Sequence, residues 1–282
     1  MTNAVVWKVG TGSDCQVWAI ADSRVTLPRK ERQPRVTDQA VKVLSLSVGV
    51  HGESKFSRAG GPFLVSNLGM VFAGAVVPAL MTHAAVCTML ANLHPKAMGF
   101  PGMEKVAKLI AHVSQRYIRD AAIAYPIDDP PLCEFVVFGP DVIGLSLDSP
   151  PNVAYRIGPG GVGPSGLYEQ AIDRVDLDAG EIAVIGTDCQ GLLEQIARLS
   201  ADRGSAERSM EPRVALEMRI RAGNYDTVGG VLQLGILARN SFDLFGLTLD
   251  SHGGPRQHWL GFDCQNDISA IIGMPVIVPD LR

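Results

Sequence analysis

Two apolar runs open the chain. Ala4-Val5-Val6-Trp7-Lys8-Val9 and Val17-Trp18-Ala19-Ile20-Ala21 flank Gly10-Thr11-Gly12-Ser13-Asp14, the pattern of two strands joined by a turn. A polar, proline-bearing loop follows, then a third strand is expected over 41–50. A glycine-rich stretch leads to a fourth over 69–73. The pattern then changes period. Helices are expected over 77–93 and 102–124, the second with Met103, Val106, Ile110, Val113 and Tyr117 on one face and Glu104, Lys105, Lys108 and Arg116 among its polar positions. Strands return over 134–138, 142–147, 153–157 and 183–186, helices over 190–199 and 212–221, and strands over 231–237 and 242–249. Strands and helices therefore come in groups. That order argues against a doubly wound parallel sheet and for an α+β protein: a four-layer αββα sandwich of two packed antiparallel sheets flanked by helices.

Composition narrows the picture. A chain of 282 residues with 46% hydrophobic and 19% charged residues buries a sizeable core, and no stretch reads as a linker. One domain over 1–282 is expected, with insertions at about 26–40, 50–62 and 158–180. A formal net charge of -4 without clustered Lys and Arg offers no footprint for nucleic acid or anionic lipid. The basic run from Arg29 to Arg35 reads as a solvated loop. The apolar run 70–93 is long enough to cross a bilayer, but Gly74 and Pro78 interrupt it near a strand-to-helix junction, so no membrane span is expected. Cys15, Cys87, Cys133, Cys189 and Cys264 are scattered without a Cys-x-x-Cys pair, which points to a reducing, cytoplasmic setting. No secretory leader is read at the start.

Several motifs are set aside on physical grounds. The six histidines lack metal-ligand spacing, so no metal is expected. Gly158-Pro159-Gly160-Gly161-Val162-Gly163 formally matches a dinucleotide fingerprint, but Pro159 and Pro164 remove donors that a pyrophosphate needs and no helix starts there. No cofactor is expected. A Gly-x-Ser-x-Gly elbow for a Ser-His-Asp triad is also missing.

The sharpest chemical signal is Thr2, behind a Met of the kind that aminopeptidase removes before a small side chain. A free N-terminal Thr carries nucleophile and base together, because an α-amine with a pKa of about 7.7–8.0 can accept the hydroxyl proton. Ala19-Ile20-Ala21-Asp22-Ser23-Arg24 then resembles the Ala-Asp-Ser-Arg signature of proteasome β subunits and their bacterial homologues, the N-terminal-nucleophile hydrolases. Lys42 before Val43-Leu44-Ser45-Leu46, and Met70-Val71-Phe72-Ala73-Gly74 before a helix, resemble further landmarks of that family. Ile185-Gly186-Thr187-Asp188 and Tyr225-Asp226-Thr227-Val228-Gly229-Gly230 resemble its Gly-Ser-Gly and Asp-x-x-Ser-Gly-Gly segments, with Val228 where the family has Ser and Asp226 one residue nearer the glycines.

The resemblance implies roles. Thr2 would attack a carbonyl, with Lys42 lowering nearby pKa values and Asp22 pairing with Lys42. The Gly74 N–H would stabilise the oxyanion, and Thr187 and Asp226 would support the amine. Lys55 is a rival for the lysine if 41–50 is an insertion. The implied activity is a threonine peptidase acting on peptides or unfolded protein, assembled as a homo-oligomeric ring, with any ATPase partner unspecified. A small-molecule amidase and a noncatalytic scaffold subunit are the alternatives.

Overall fold

A computed structural model describes residues 2–11, 15–26, 35–51, 64–94, 100–123, 130–141, 151–162, 168–202, 210–238, 241–251, 254–260, 262–269, 271, 274 and 279. The strands are β1 (Asn3–Val9), β2 (Gln16–Asp22), β3 (Val25–Thr26), β4 (Arg35–Thr37), β5 (Val43–Val50) and β6 (Leu64–Gly74). Helices α1 (Val76–Leu90) and α2 (Met103–Ala122) follow, then β7 (Cys133–Pro140), β8 (Asn152–Val162), β9 (Tyr168–Val175) and β10 (Ala183–Gly186). After α3 (Cys189–Asp202) and α4 (Glu211–Ala222) come β11 (Leu232–Ala238), β12 (Ser241–Phe245), β13 (Leu247–Ser251), β14 (Gly254–Trp259) and β15 (Phe262–Asp263). The grouping of strands and helices matches the expected order. The strand expected over 142–147 and the rival Lys55 lie outside the described residues.

The expected four-layer sandwich of two separate antiparallel sheets is corrected by the pairing. The main sheet is single, mixed and ten-stranded, in the order β10-β1-β2-β11-β12-β6-β7-β8-β9, with β5 joined to β6. Among the described residues its continuity rests on one parallel bridge, Ser241 to Asn67, between β12 and β6; the other pairs in it are antiparallel. The sheet curls back on itself as a nearly closed barrel. Hydrophobic periodicity reports which face of a strand is buried and carries no information on which edges meet, so this linkage was invisible in the pattern.

Packing follows from the curl. Val6, Ala19 and Ile185 of one half meet Val71, Val136 and Phe138 of the other in an inner cluster. Phe138 and Phe242 meet edge to face there with centroids 5.3 Å apart. Each ring seats on a strand glycine, since a Cβ at Gly69 or Gly235 would lie 2.1 Å from it. Outside, α1 and α2 cover the β5–β8 region through Leu90, Val106 and Ile110, and α3 and α4 cover β1, β2 and β11 through Leu192, Ile196 and Leu216. The dinucleotide-like run does not form a loop: Gly158 to Gly161 are part of β8, paired with β9 across a bulge. The stretch 70–93 is the end of β6 followed by α1, and among the described residues no helix is long and apolar enough to cross a membrane. The last strand expected, 242–249, is divided at Gly246 into β12 and β13, and β13 opens a small sheet, β13-β14-β15, followed by a π-helical turn, Cys264–Ser269.

Candidate active site

Five strand ends converge on Thr2. Antiparallel register sets the start of β1 opposite the ends of β2 and β10, with Ala4 across from Ala21 and Asn3 across from Gly186. The start of β11 lies beside Asp22, and the start of β5 faces the end of β6, with Val43 across from Val71. Residues far apart in sequence are thereby brought together: Thr2 (3% exposed), Asp22 and Lys42 (both 0%) form one buried cluster.

Lys42 Nζ donates to Thr2 Oγ1 and to the Arg24 carbonyl, and lies 3.4 Å from Asp22 Oδ2. Asp22 accepts from three backbone N–H groups: Asn3 at 2.9 Å, Gly229 at 3.0 Å and Arg24 at 3.1 Å. Burial lowers the Lys42 pKa, opposed chiefly by the charge of Asp22. Burial likewise raises that of Asp22, against Lys42 and the three N–H donors. Both shifts have one cause, the loss of water around a charge. A lysine so placed exchanges a proton with a neighbouring hydroxyl more readily than an exposed one.

The Asp-Ser-Arg signature has a task for each side chain. Asp22 holds the lysine. Ser23 Oγ donates to the Asp38 carbonyl and accepts from Val231 N–H, and Arg24 Nε donates to Asp38 Oδ1 at 2.7 Å. The loop before Lys42 is thus tied to the end of β2.

Thr187 follows β10, where its N–H donates to the Thr2 carbonyl at 2.8 Å. Gly186 permits that approach: its φ is 104°, and a Cβ there would lie 1.6 Å from Thr2 O and 3.2 Å from Ala73 Cβ. The end of β6 is therefore beside Thr2, with Gly74 the next residue after Ala73. Gly74 has a φ of 98°, and a Cβ on it would meet the Leu132 carbonyl at 2.4 Å. Asp226 is not in the cluster. It is exposed, and its charge acts on Arg24. The following residue, Thr227, is buried and places its hydroxyl 2.9 Å from that of Thr187.

Sequence reasoning missed four participants. Asn3, fully buried, donates its backbone N–H to Asp22 and its Nδ2 to the Thr187 carbonyl at 2.5 Å. Arg219 of α4, 6% exposed, reaches the Asp188 carbonyl at 3.2 Å and Asp188 Oδ2 at 3.0 Å, and packs under Tyr225. Thr227 and Gln233 complete the set. A polar residue at the edge of or within an otherwise apolar run, as at Asn3 and Gln233, was the available signal. Among the described residues no group of three or more His, Cys, Asp or Glu could hold a metal.

The fold comes first: it is proteasome-like. Neither a family model nor a curated protein matches the sequence. Solved structures do. The chain is similar to the protein of the helical assembly of the Anbu complex from Pseudomonas aeruginosa, at 14% identity over 89% of each chain with a TM-score of 0.55. It is also similar to an Anbu Gly-1 mutant from Hyphomicrobium sp. strain MC1, at 14% identity over 97% of this chain and 94% of that one, TM-score 0.53. Anbu from Yersinia bercovieri, described as an ancestral beta-subunit, aligns at 15% identity over 83% and 80% with a TM-score of 0.49, too low to bear on the fold. At such identities the likeness extends to fold and no further.

Proposed function

We propose that this chain is a threonine-type amide-bond hydrolase whose nucleophile is Thr2, freed by removal of Met1. The observation that carries the reading is the contact of Lys42 Nζ with Thr2 Oγ1 inside a buried cluster backed by Asp22. Thr2 Oγ attacks a substrate carbonyl while the α-amine takes up the hydroxyl proton and later delivers it to the leaving amine. Lys42 stabilises the developing alkoxide by hydrogen bonding, and Asp22 keeps it oriented. The Gly74 N–H serves the oxyanion. Water then hydrolyses the acyl-Thr ester. The paired hydroxyls of Thr187 and Thr227 would support the amine, the task that the resemblance assigned to Thr187 and Asp226.

Peptides or unfolded protein are the substrates on this reading, and the working form is a homo-oligomer. Two observations support assembly. α1 exposes Val77, Leu80, Met81 and Met89 at 58%, 40%, 46% and 47%, and apolar side chains gathered on an exposed face are a mark of interaction sites. The Anbu complex from Pseudomonas aeruginosa is a helical assembly, so an open helical array competes with a closed ring. The absence of disulfides among the five cysteines fits a reducing cytoplasm.

Intact mass and N-terminal sequencing, before and after treatment with a peptidyl epoxyketone or β-lactone, test the catalytic reading. A chain beginning at Thr2 that gains one probe mass, with Thr2→Ala gaining none, supports it. Retained Met1 and no adduct overturn it and favour a scaffold subunit. Labelling by a monomer that turns over small amides and not peptides favours the amidase.

A further inference from the structure

One buried side chain outside the cluster contacts the segment that carries its lysine. Gln233, 2% exposed, lies on β11 beside Ala21 of β2. Its Oε1 accepts from the backbone N–H of Lys42 at 2.8 Å and of Val43 at 3.2 Å. Its Nε2 donates to the Ala40 carbonyl at 2.8 Å and to the Leu260 carbonyl at 3.2 Å. Two donors face the oxygen and two acceptors face the nitrogen, so only one orientation of the amide is compatible with its surroundings. Leu260 is in the turn between β14 and β15 and has a φ of 54°, a left-handed conformation that a leucine adopts only when held.

We propose that Gln233 is a positioning residue for Lys42, fixing the backbone from which the lysine reaches Thr2 and tying that backbone to the C-terminal ribbon at Leu260. Residues 40–43 approach β5 from a loop, and Lys42 N–H has the Gln233 oxygen as its partner. β6 aligns Val43 onward and holds the Lys42 carbonyl through the Phe72 N–H at 3.3 Å, whereas the Lys42 N–H is held by Gln233. The carboxamide does for this segment what a paired strand does for the rest of β5. Lys42 Nζ is a long, rotatable side chain away, so a loosened backbone lets the amine leave Thr2 Oγ1 without unfolding the protein. The inference takes the role of Lys42 from the function proposed above, but the placement it asserts is measurable without catalysis.

Hydrogen exchange on the wild-type protein is the first arm. The Lys42 and Val43 amides are expected to exchange as slowly as those of the β1–β2 ladder; exchange at the rate of loop amides overturns the proposal. The second arm follows the 13Cε resonance of Lys42 in protein made with labelled lysine, assigned with Lys42→Arg. Asp22, Asp38 and Arg24 are the charged groups acting on that amine, and none of them is altered in the variants compared. Gln233→Met is expected to move the resonance and its titration toward those of exposed lysines. Thr82→Val, which removes a buried α1 hydroxyl bonded to the Pro78 carbonyl, is expected to lower stability and leave them in place. An unmoved Lys42 resonance in folded Gln233→Met overturns the proposal, and if that variant does not fold the exchange arm decides. Where wild type reacts with the epoxyketone, Gln233→Met slows labelling by about 100-fold, the cost of a misplacement of about 1 Å, at unchanged half-saturation. A wild type that never reacts, with the resonance still moving in Gln233→Met, removes the hydrolase reading and leaves the positioning role standing.

Discussion

Lys42 and Asp22 set the pH behaviour of the molecule. The folded pKa of Lys42 is lowered from the ordinary 10.5, so over the window between the two values the unfolded chain binds the extra proton. Stability therefore rises with pH across that window, by at most about 1.4 kcal/mol per pH unit for one proton. Asp22 is raised from 3.8, so its contribution is present at acid pH and is lost as pH rises through its folded value. Cys87, Cys133 and Cys189, whose thiols burial pushes up from 9.0, also titrate in the alkaline range, so a variant that lacks the amine is needed to isolate the lysine. Urea unfolding of wild type beside Lys42→Met, from pH 7 to pH 10, should show wild type gaining on the variant; a constant gap would mean the proton never leaves the buried amine. Asp22→Asn leaves that amine without its counter-charge and turns an NH2 either toward the Asn3 N–H or toward those of Arg24 and Gly229. A loss of about 3–5 kcal/mol is expected from denaturant midpoints, the range for breaking a buried ion pair.

At the scale of elements, the site depends on how closely β10 approaches the start of β1. Gly186 allows it, and Gly186→Ala forces either the positive φ or the Thr2 carbonyl to give way. The strain is worth about 1–3 kcal/mol. Because the clash is with Thr2 itself, reaction with the epoxyketone should fall further than the loss of stability accounts for. Labelling that tracks stability alone would show that Thr2 tolerates displacement. Helix α1 carries the other element-scale expectation. Leu80→Asp with Met81→Asp changes exposed positions, so folding stability should shift by no more than about 0.5 kcal/mol per site. Sedimentation velocity should show the homo-oligomer breaking into smaller species; an unchanged profile would remove α1 from the assembly contact.

The whole molecule is one curled sheet whose halves meet through the inner cluster more than through hydrogen bonds. A single bridge, Ser241 to Asn67, links β12 to β6, whereas Phe242 packs against Phe138 of the opposite half. Phe242→Ala should cost about 3–5 kcal/mol, measured as a shift in denaturant midpoint. Both halves should still unfold in one transition, because the cluster they share is the core of each. Separate transitions would show that the bridge and the helices hold the halves independently.

Much of this was legible along the chain. The period of apolar residues placed the opening hairpin, the paired helices and the later helices, because burying one face of a strand or helix leaves a local imprint. Thr2 could be named from its place behind Met1, and Asp22, Lys42 and Thr187 from short motifs that resemble those of proteasome β subunits. Asp226 was named for a place in the buried network where the structure has the Thr227 hydroxyl, since a shift of one residue in a turn decides which side chain points inward. β9, the strands β14 and β15 and the run from Gly158 to Gly161 as strand were not legible, because glycine, proline and polar residues can form edge strands without an apolar period. The joining of all ten strands into one sheet, the closure of Gln233 on Lys42 and the reach of Arg219 toward Thr187 were decided by tertiary structure alone. They depend on which edges and ends meet across the fold, and contacts between residues so distant in sequence leave no local pattern to read.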